Sequence, residues 1–393
     1  MKKYLSLFFV VILSSHLFAE DKLRFLDSIS AENWENVKAL AAKENKFIFV
    51  DIYMDNCKYC TMMEEQTFTN SIVAKLMNEN FISVHYNITS EVGNLFNKKY
   101  RIKGFPALFI FTPKGELTEK LSGYLNEDIF LSKLNNILTA KKHKNISSTL
   151  NPVFPDFYLN SLLKENTKID SATVNNFLDT TKNLSDEVSF SVMYRFTQLL
   201  NTKHQQFIID NLSWLKKMYG DDDVETLVLG LSGIKLRESI KLNDEKKMED
   251  ILAFMEKNLS ERNKKWKDYI KIHFYGKTKE WKNFAETMNE CIKKPLDVID
   301  ESMINSYSWN IYQQCDDQVI ISQATNWMKD IVTKTPQHNY LYTYSSLLYK
   351  SQNLPEAKKY AELAVETGKK ENEHTEETEK LLEKINNEMK NYD

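Results

Sequence analysis

Phe47-Ile48-Phe49-Val50-Asp51-Ile52-Tyr53-Met54-Asp55-Asn56-Cys57-Lys58-Tyr59-Cys60 is the stretch on which the reading of this chain turns. Its first half is a short apolar strand, and its end carries two cysteines spaced i, i+3. A helix beginning at Cys57 sets both sulfurs on one face, within reach of a disulfide. Cys57 then lies where unsatisfied backbone N–H groups and the positive end of the helix dipole favour a thiolate, and Lys58 adds a cation beside it. This predicts Cys57 as the nucleophile in thiol–disulfide exchange and Cys60, one turn further in, as the resolving thiol. Two other uses of such a pair stay open here. A zinc site normally brings a second Cys or His pair at ligand spacing, and the chain has none. A purely structural bridge would close only a short loop and constrain the unfolded chain little.

Residues 31 to 140 alternate helical patterns with short apolar strands such as Ala107-Leu108-Phe109-Ile110-Phe111, as α/β folds do. Pro113-Lys114-Gly115-Glu116 reads as a turn closing a hairpin at the end of the sheet. From Lys141 to Pro155 the apolar periodicity lapses into Lys, Ser and Pro, a linker composition. Beyond Asp156 the pattern is helical to the end. The fold class expected is an α/β domain followed by an all-α one.

The order and spacing of the strand, the Cys57/Cys60 pair, Tyr86-Asn87-Ile88, Gly104-Phe105-Pro106-Ala107 and Leu121-Ser122-Gly123 resemble the thioredoxin superfamily over about the first third of the chain. Cys60 to Phe68 is similar to exported thioredoxin-like proteins related to the electron-delivering thioredoxin domains of periplasmic disulfide interchange systems. The resemblance implies that Asp51 is the buried carboxylate that takes and returns the proton of the second cysteine. It also implies that Pro106 is the cis-proline opposite the disulfide, with Phe105 offering backbone hydrogen bonds to an extended substrate and Lys58 and Tyr59 at the substrate surface. The motif departs from the usual pattern in having Asn56 before the first cysteine and Lys58-Tyr59 inside the pair. His85, on the strand aligned beside Asp51, is expected as a half-buried structural histidine, and Glu64 and Glu65 as a solvated helix face.

In the helical half, Ala357, Ala361 and Ala364 are spaced i, i+4, i+7, a small-residue stripe that resembles a helix of a tetratricopeptide repeat. Ala324 stands 33 residues before Ala357. An α-solenoid that binds a protein partner is the expectation, with helical runs such as Phe207 to Met218 and Asp223 to Ile240 as degenerate repeats or plain helix pairs; the alternative is a helical domain that only packs on or spaces the redox domain.

The N-terminus opens on basic Met1-Lys2-Lys3, continues with the apolar Tyr4 to Leu13, and reaches the small residue Ala19. This is a secretory signal pattern, too short to span a bilayer. Residues 1–19 are expected as the signal peptide, 20–142 as the thioredoxin-like domain, 143–155 as a linker and 156–393 as the helical-repeat domain. A chain of 393 residues exceeds a usual domain, and 42% hydrophobic with 27% charged residues suits a sizeable core. Removing Lys2 and Lys3 takes the formal charge from −3 to −5, which gives no footprint for nucleic acid.

The function expected is an exported, periplasmic thiol–disulfide oxidoreductase, soluble after signal cleavage. Its partners would be protein thiols and disulfides, a membrane-bound or soluble electron donor, and a protein on the helical repeats, with no cofactor and no metal. The alternative is a binding protein that keeps the fold as a scaffold. A fragment ending near Lys142 is expected to fold and exchange generic disulfides by itself.

Overall fold

Strand β1 (Phe47–Tyr53) is buried from Ile48 through Ile52, so its sequence is a continuous apolar run rather than an alternating one. It lies parallel to β2 (Phe81–Asn87) and antiparallel to β3 (Ala107–Phe111), and β3 pairs antiparallel with β4 (Leu117–Ser122). The sheet order is β2-β1-β3-β4. The expected turn joins β3 to β4, with Gly115 at φ 79°. The computed structural model describes residues 22–27, 33–140, 146, 149–163, 168–294 and 299–390. The expected signal peptide, residues 1–19, lies outside the described residues.

Helices α1 (Trp34–Glu44), α2 (Lys58–Met62), α3 (Ser71–Asn80), α4 (Glu91–Tyr100) and α5 (Glu127–Ala140) cover the sheet. Strand alternation sends Phe49 and Asp51 to one face and Ile48, Val50 and Ile52 to the other. Phe49 joins a core of Met63, Phe68, Leu108, Ile110, Phe130 and Leu134. The opposite layer is aromatic. Trp34 sits 5.0 Å from Phe111 and 5.4 Å from Phe96 between ring centroids, and Tyr100 sits 5.0 Å from Phe109. Helix α4 enters close to β2, because a Cβ on Gly93 would lie 2.0 Å from the Asn87 carbonyl oxygen.

The chain divides into two compact units, one up to Val224 and one from Glu225 onward. This boundary falls well past the segment of linker composition. Of that segment, residues 141–145, 147 and 148 lie outside the described residues, whereas Ile146, Leu150 and Phe154 are buried. Helices α6 (Asp156–Leu163), α7 (Ser171–Thr180), α8 (Glu187–Arg195), α9 (Thr202–Asp210) and α10 (Leu212–Tyr219) belong to the first unit. The helical run read over Phe207 to Met218 is divided at Asn211 between α9 and α10.

Two cations explain why the first unit extends so far. Lys99 and Arg101, at the end of α4, are both buried. Lys99 pairs with Glu187 at 3.0 Å, and Arg101 pairs with Asp223 at 2.7 Å while stacking on Phe190 at 4.9 Å. Lys120 reaches the other oxygen of Asp223 at 3.1 Å. Burial alone would push the Asp223 carboxyl up, but Arg101 and Lys120 hold it below the ordinary value.

In the second unit, helices over Gln318–Lys334, His338–Lys350, Leu354–Glu371 and Glu376–Lys390 pack each on the next. Ala324, Ala357, Ala361 and Ala364 are completely buried. Cys291 and Cys315 are buried and unbridged. Among the described residues past Asp156 there are helices and no strand, and no described helix is long and apolar enough to cross a membrane.

Asp223→Ala should cost roughly 3–5 kcal/mol, since it leaves a buried guanidinium without its carboxylate. A fragment ending at Lys142 should unfold at lower urea than one ending at Leu242, because it lacks both Glu187 and Asp223. Urea melts followed by circular dichroism check both, and equal midpoints for the two fragments would refute the coupling.

Candidate active site

Tyr53-Met54-Asp55-Asn56 carries the chain off β1, with Asn56 in the left-handed region at φ 58°. Asn87, at the end of neighbouring β2, donates through Nδ2 to Asp55 at 2.8 Å and accepts from the Thr89 hydroxyl at 2.7 Å. This small network fixes the entry to α2. Cys57 is the N-cap of α2, with extended backbone, and its sulfur accepts the Cys60 N–H at 3.2 Å. The same hydrogen bond would favour a thiolate on Cys57, which is the physical content of placing a cysteine at a helix start. Cys57 and Cys60 are joined in a disulfide with Cα atoms 5.3 Å apart. Cys57 is half-buried and Cys60 buried. Lys58 and Tyr59 are exposed between them, Tyr59 at 54%.

Helix α2 runs straight into a π-turn over Met63–Thr67, closed by Phe68 N–H donating to the Met63 carbonyl. The sequence reading did not anticipate this widened turn, since no composition signal marks it. Its interior residues tie the site to the segment before α5: the Thr67 hydroxyl donates to the Leu125 carbonyl at 2.7 Å, and Leu125 N–H donates to the Met63 sulfur at 3.3 Å. Glu64 and Glu65 are exposed, as expected of a solvated face.

Asp51 is buried on the face of β1 shared with Phe49, and its Oδ1 has no hydrogen-bond partner among the described residues. Burial, with the negative charge of Glu64 second, pushes its carboxyl up to about 7. Glu64 therefore raises the Asp51 carboxyl through its charge, a role missed because their proximity depends on the fold. His85 is the cross-strand neighbour of Asp51 but is exposed rather than half-buried. Its ring stacks on Phe25 at 4.6 Å, which keeps it on the outer edge of the sheet.

The register brings the third element in. Ala107 pairs with Ile52 and Leu108 with Asp51, so Pro106 arrives at the same end of the sheet as the loop to Cys57. The Phe105–Pro106 bond is cis, Pro106 is buried and Phe105 is half-buried. Gly123 N–H donates to the Pro106 carbonyl at 2.9 Å, and the Ser122 hydroxyl to that of Gly104 at 3.3 Å. No group of metal-ligating side chains occurs among the described residues.

A buried carboxylate, a helix-capping disulfide and a proline loop meeting at one end of a four-stranded sheet define a thioredoxin-like domain. Residues 34–138 match that family, described as the thioredoxin-like domain. The thiol:disulfide interchange protein DsbD of Actinobacillus pleuropneumoniae is 30% identical over 101 residues, which are 25% of this chain and 17% of that protein. Spermatogenesis-associated protein 20 of Rattus norvegicus is 50% identical over 44 residues, 11% of this chain and 6% of its own length. The chain thus spans only a small part of these relatives. Among solved structures, the oxidised C-terminal domain of Neisseria meningitidis DsbD is similar at 21% identity and a TM-score of 0.25, covering 28% of this chain and 97% of that one. A thioredoxin from Thermus thermophilus is similar at 22% identity and a TM-score of 0.27, covering 30% and 88%.

The raised Asp51 carboxyl has a signed consequence for stability. The folded protein holds a proton there that an unfolded chain, with its carboxyl near 3.8, releases. The oxidised protein should lose stability as pH rises from about 4 to about 7, on the order of 4 kcal/mol from this group. Asp51→Asn should flatten that slope and be the more stable form at about pH 8. Urea melts of both proteins across pH check this, and parallel profiles would rule it out.

Proposed function

We propose that the protein is an exported thiol–disulfide oxidoreductase acting on protein substrates through Cys57 and Cys60. The single observation that carries this is the juxtaposition of a half-buried, N-capping Cys57 with a buried Cys60 and a buried Asp51 that titrates near neutrality. In the reducing direction the Cys57 thiolate attacks a substrate disulfide. One substrate sulfur leaves as a thiolate, and the other stays in a mixed disulfide with Cys57. Cys60 then gives its proton to the Asp51 carboxylate and attacks the Cys57 sulfur, releasing the second substrate thiolate. Two electrons pass to the substrate and the Cys57–Cys60 disulfide is formed. The reverse sequence oxidises a dithiol, and the potential of the couple against its donor sets the direction.

An extended substrate would lie along the Phe105–Pro106 loop, using the Phe105 backbone, with Lys58 and Tyr59 facing it. Periplasmic location is supported by the N-terminal signal pattern, and the similarity to the thiol:disulfide interchange protein DsbD supports the exchange reading. The electron donor is a membrane-bound or soluble dithiol protein, and the helical unit is the site for a protein partner.

Cys60→Ser should accumulate mixed disulfides with client proteins, because the resolving step is gone, whereas Cys57→Ser should trap few. Non-reducing gels of affinity-purified variants read this directly, and equal trapping by the two would defeat the assignment. Reduced protein should also be alkylated first at Cys57, followed by mass spectrometry over a pH series.

A further inference from the structure

Arg101, Ile102 and Lys103, just before the Phe105–Pro106 bond in the chain, border a small cleft of about 210 Å³ that the exchange chemistry leaves unused. Arg101, Lys103 and Arg195 line it together with the rings of Tyr158 and Tyr194, and no aspartate or glutamate does. The Arg101 guanidinium is fixed in place. It donates to the Lys99 carbonyl at 2.8 Å, the Ser191 hydroxyl at 2.8 Å and Asp223 at 2.7 Å. Its buried Nε has no acceptor among the described residues. Lys103 lies 4.5 Å from the Tyr194 ring centroid and makes no ion pair with a carboxylate among the described residues, although the charge of Asp223 reaches it at longer range. Arg195 donates to Ser161 and likewise meets no carboxylate. Asp223, the one acid close to Arg101, is shared with Lys120.

Positive charge is therefore in excess on walls that are partly aromatic, which focuses the field inside the cleft. Its volume falls below the ~300–1,000 Å³ of sites that enclose drug-sized ligands, so it suits a single carboxylate or small oxyanion. Position narrows the source. Lys103 is two residues from Phe105, so their Cα atoms are at most ~7.6 Å apart. An extended client strand crosses that span in about two to three residues.

We propose that this cleft is an anion subsite for the client polypeptide, taking an acidic side chain two or three residues from the client's disulfide cysteine. It rests on the exchange reading above and names its substrate class: disulfides flanked by Asp or Glu.

The test uses full-length protein and two disulfide peptides identical except for Glu or Gln two and three residues from the cysteine. The Glu peptide should show about tenfold higher kcat/KM at low salt, an advantage that shrinks as salt screens it. Lys103→Gln combined with Arg195→Gln should bring the ratio of the two peptides near one, and Lys103→Arg should keep most of it. Equal rates in the unmodified protein, or an unchanged ratio in the double variant, would overturn the subsite. A parallel arm measures binding of the Glu peptide, with serine for cysteine, to oxidised protein by fluorescence anisotropy, with inorganic phosphate as competitor. Phosphate binding without any preference between peptides would mark a free-oxyanion site and overturn the client assignment. Charge-selective peptide binding, lost in the double variant, in a protein that exchanges no disulfide would keep the subsite and remove the exchange reading.

Discussion

Strand β1 has no face left for water, and most of the first unit follows from that. A strand flanked by β2 and β3 and covered on both faces must satisfy its backbone within the sheet and its side chains within two cores. The alternation that sends Phe49 into one core sends Asp51 to the same side two residues later. A carboxylate placed there is denied solvation, and its proton is held to near neutrality. The chemistry expected of the cysteines thus depends on an arrangement that costs the folded state some stability. Hydrophobic burial of the neighbouring Ile48, Phe49, Val50 and Ile52 offsets it.

The site is also held from outside the strand. The π-turn after α2 turns Met63 and Thr67 inward, where both contact Leu125, while Glu64 stays in water close enough to act on Asp51. At the far end of α4, Lys99 and Arg101 are buried beyond what isolated cations tolerate, and their carboxylates come from Glu187 and Asp223. The sheet domain and the helices up to Val224 therefore share one set of buried charges. The same surplus of cations leaves Lys103 and Arg195 facing a cleft beside the proline loop.

How much of this could be read from residue order varied with the range of the interaction. The strand at 47–53, the hairpin turn at 113–116, the helix start at Cys57 and the helical character past residue 156 are local patterns, and they are where the reading located them. Asp51 and Pro106 entered only through resemblance, because nothing local distinguishes a buried aspartate or a cis peptide bond from ordinary ones. The stretch from Lys141 to Pro155 has the composition of a linker. Yet Ile146, Leu150 and Phe154 within it are buried, since three apolar residues among polar ones suffice to anchor a segment and leave no periodicity behind.

The short apolar strands, the helical periodicity, the i, i+3 cysteine pair and the turn chemistry are all legible in residue order, because each depends on backbone geometry within a few residues. That Glu64 bears on Asp51, that His85 lies outside rather than half-buried, and that Arg101 finds Asp223 across 122 positions of chain follows from packing alone. Burial and charge pairing are properties of neighbours in space. Which residues become neighbours is settled when strands and helices pack, not by their order along the chain.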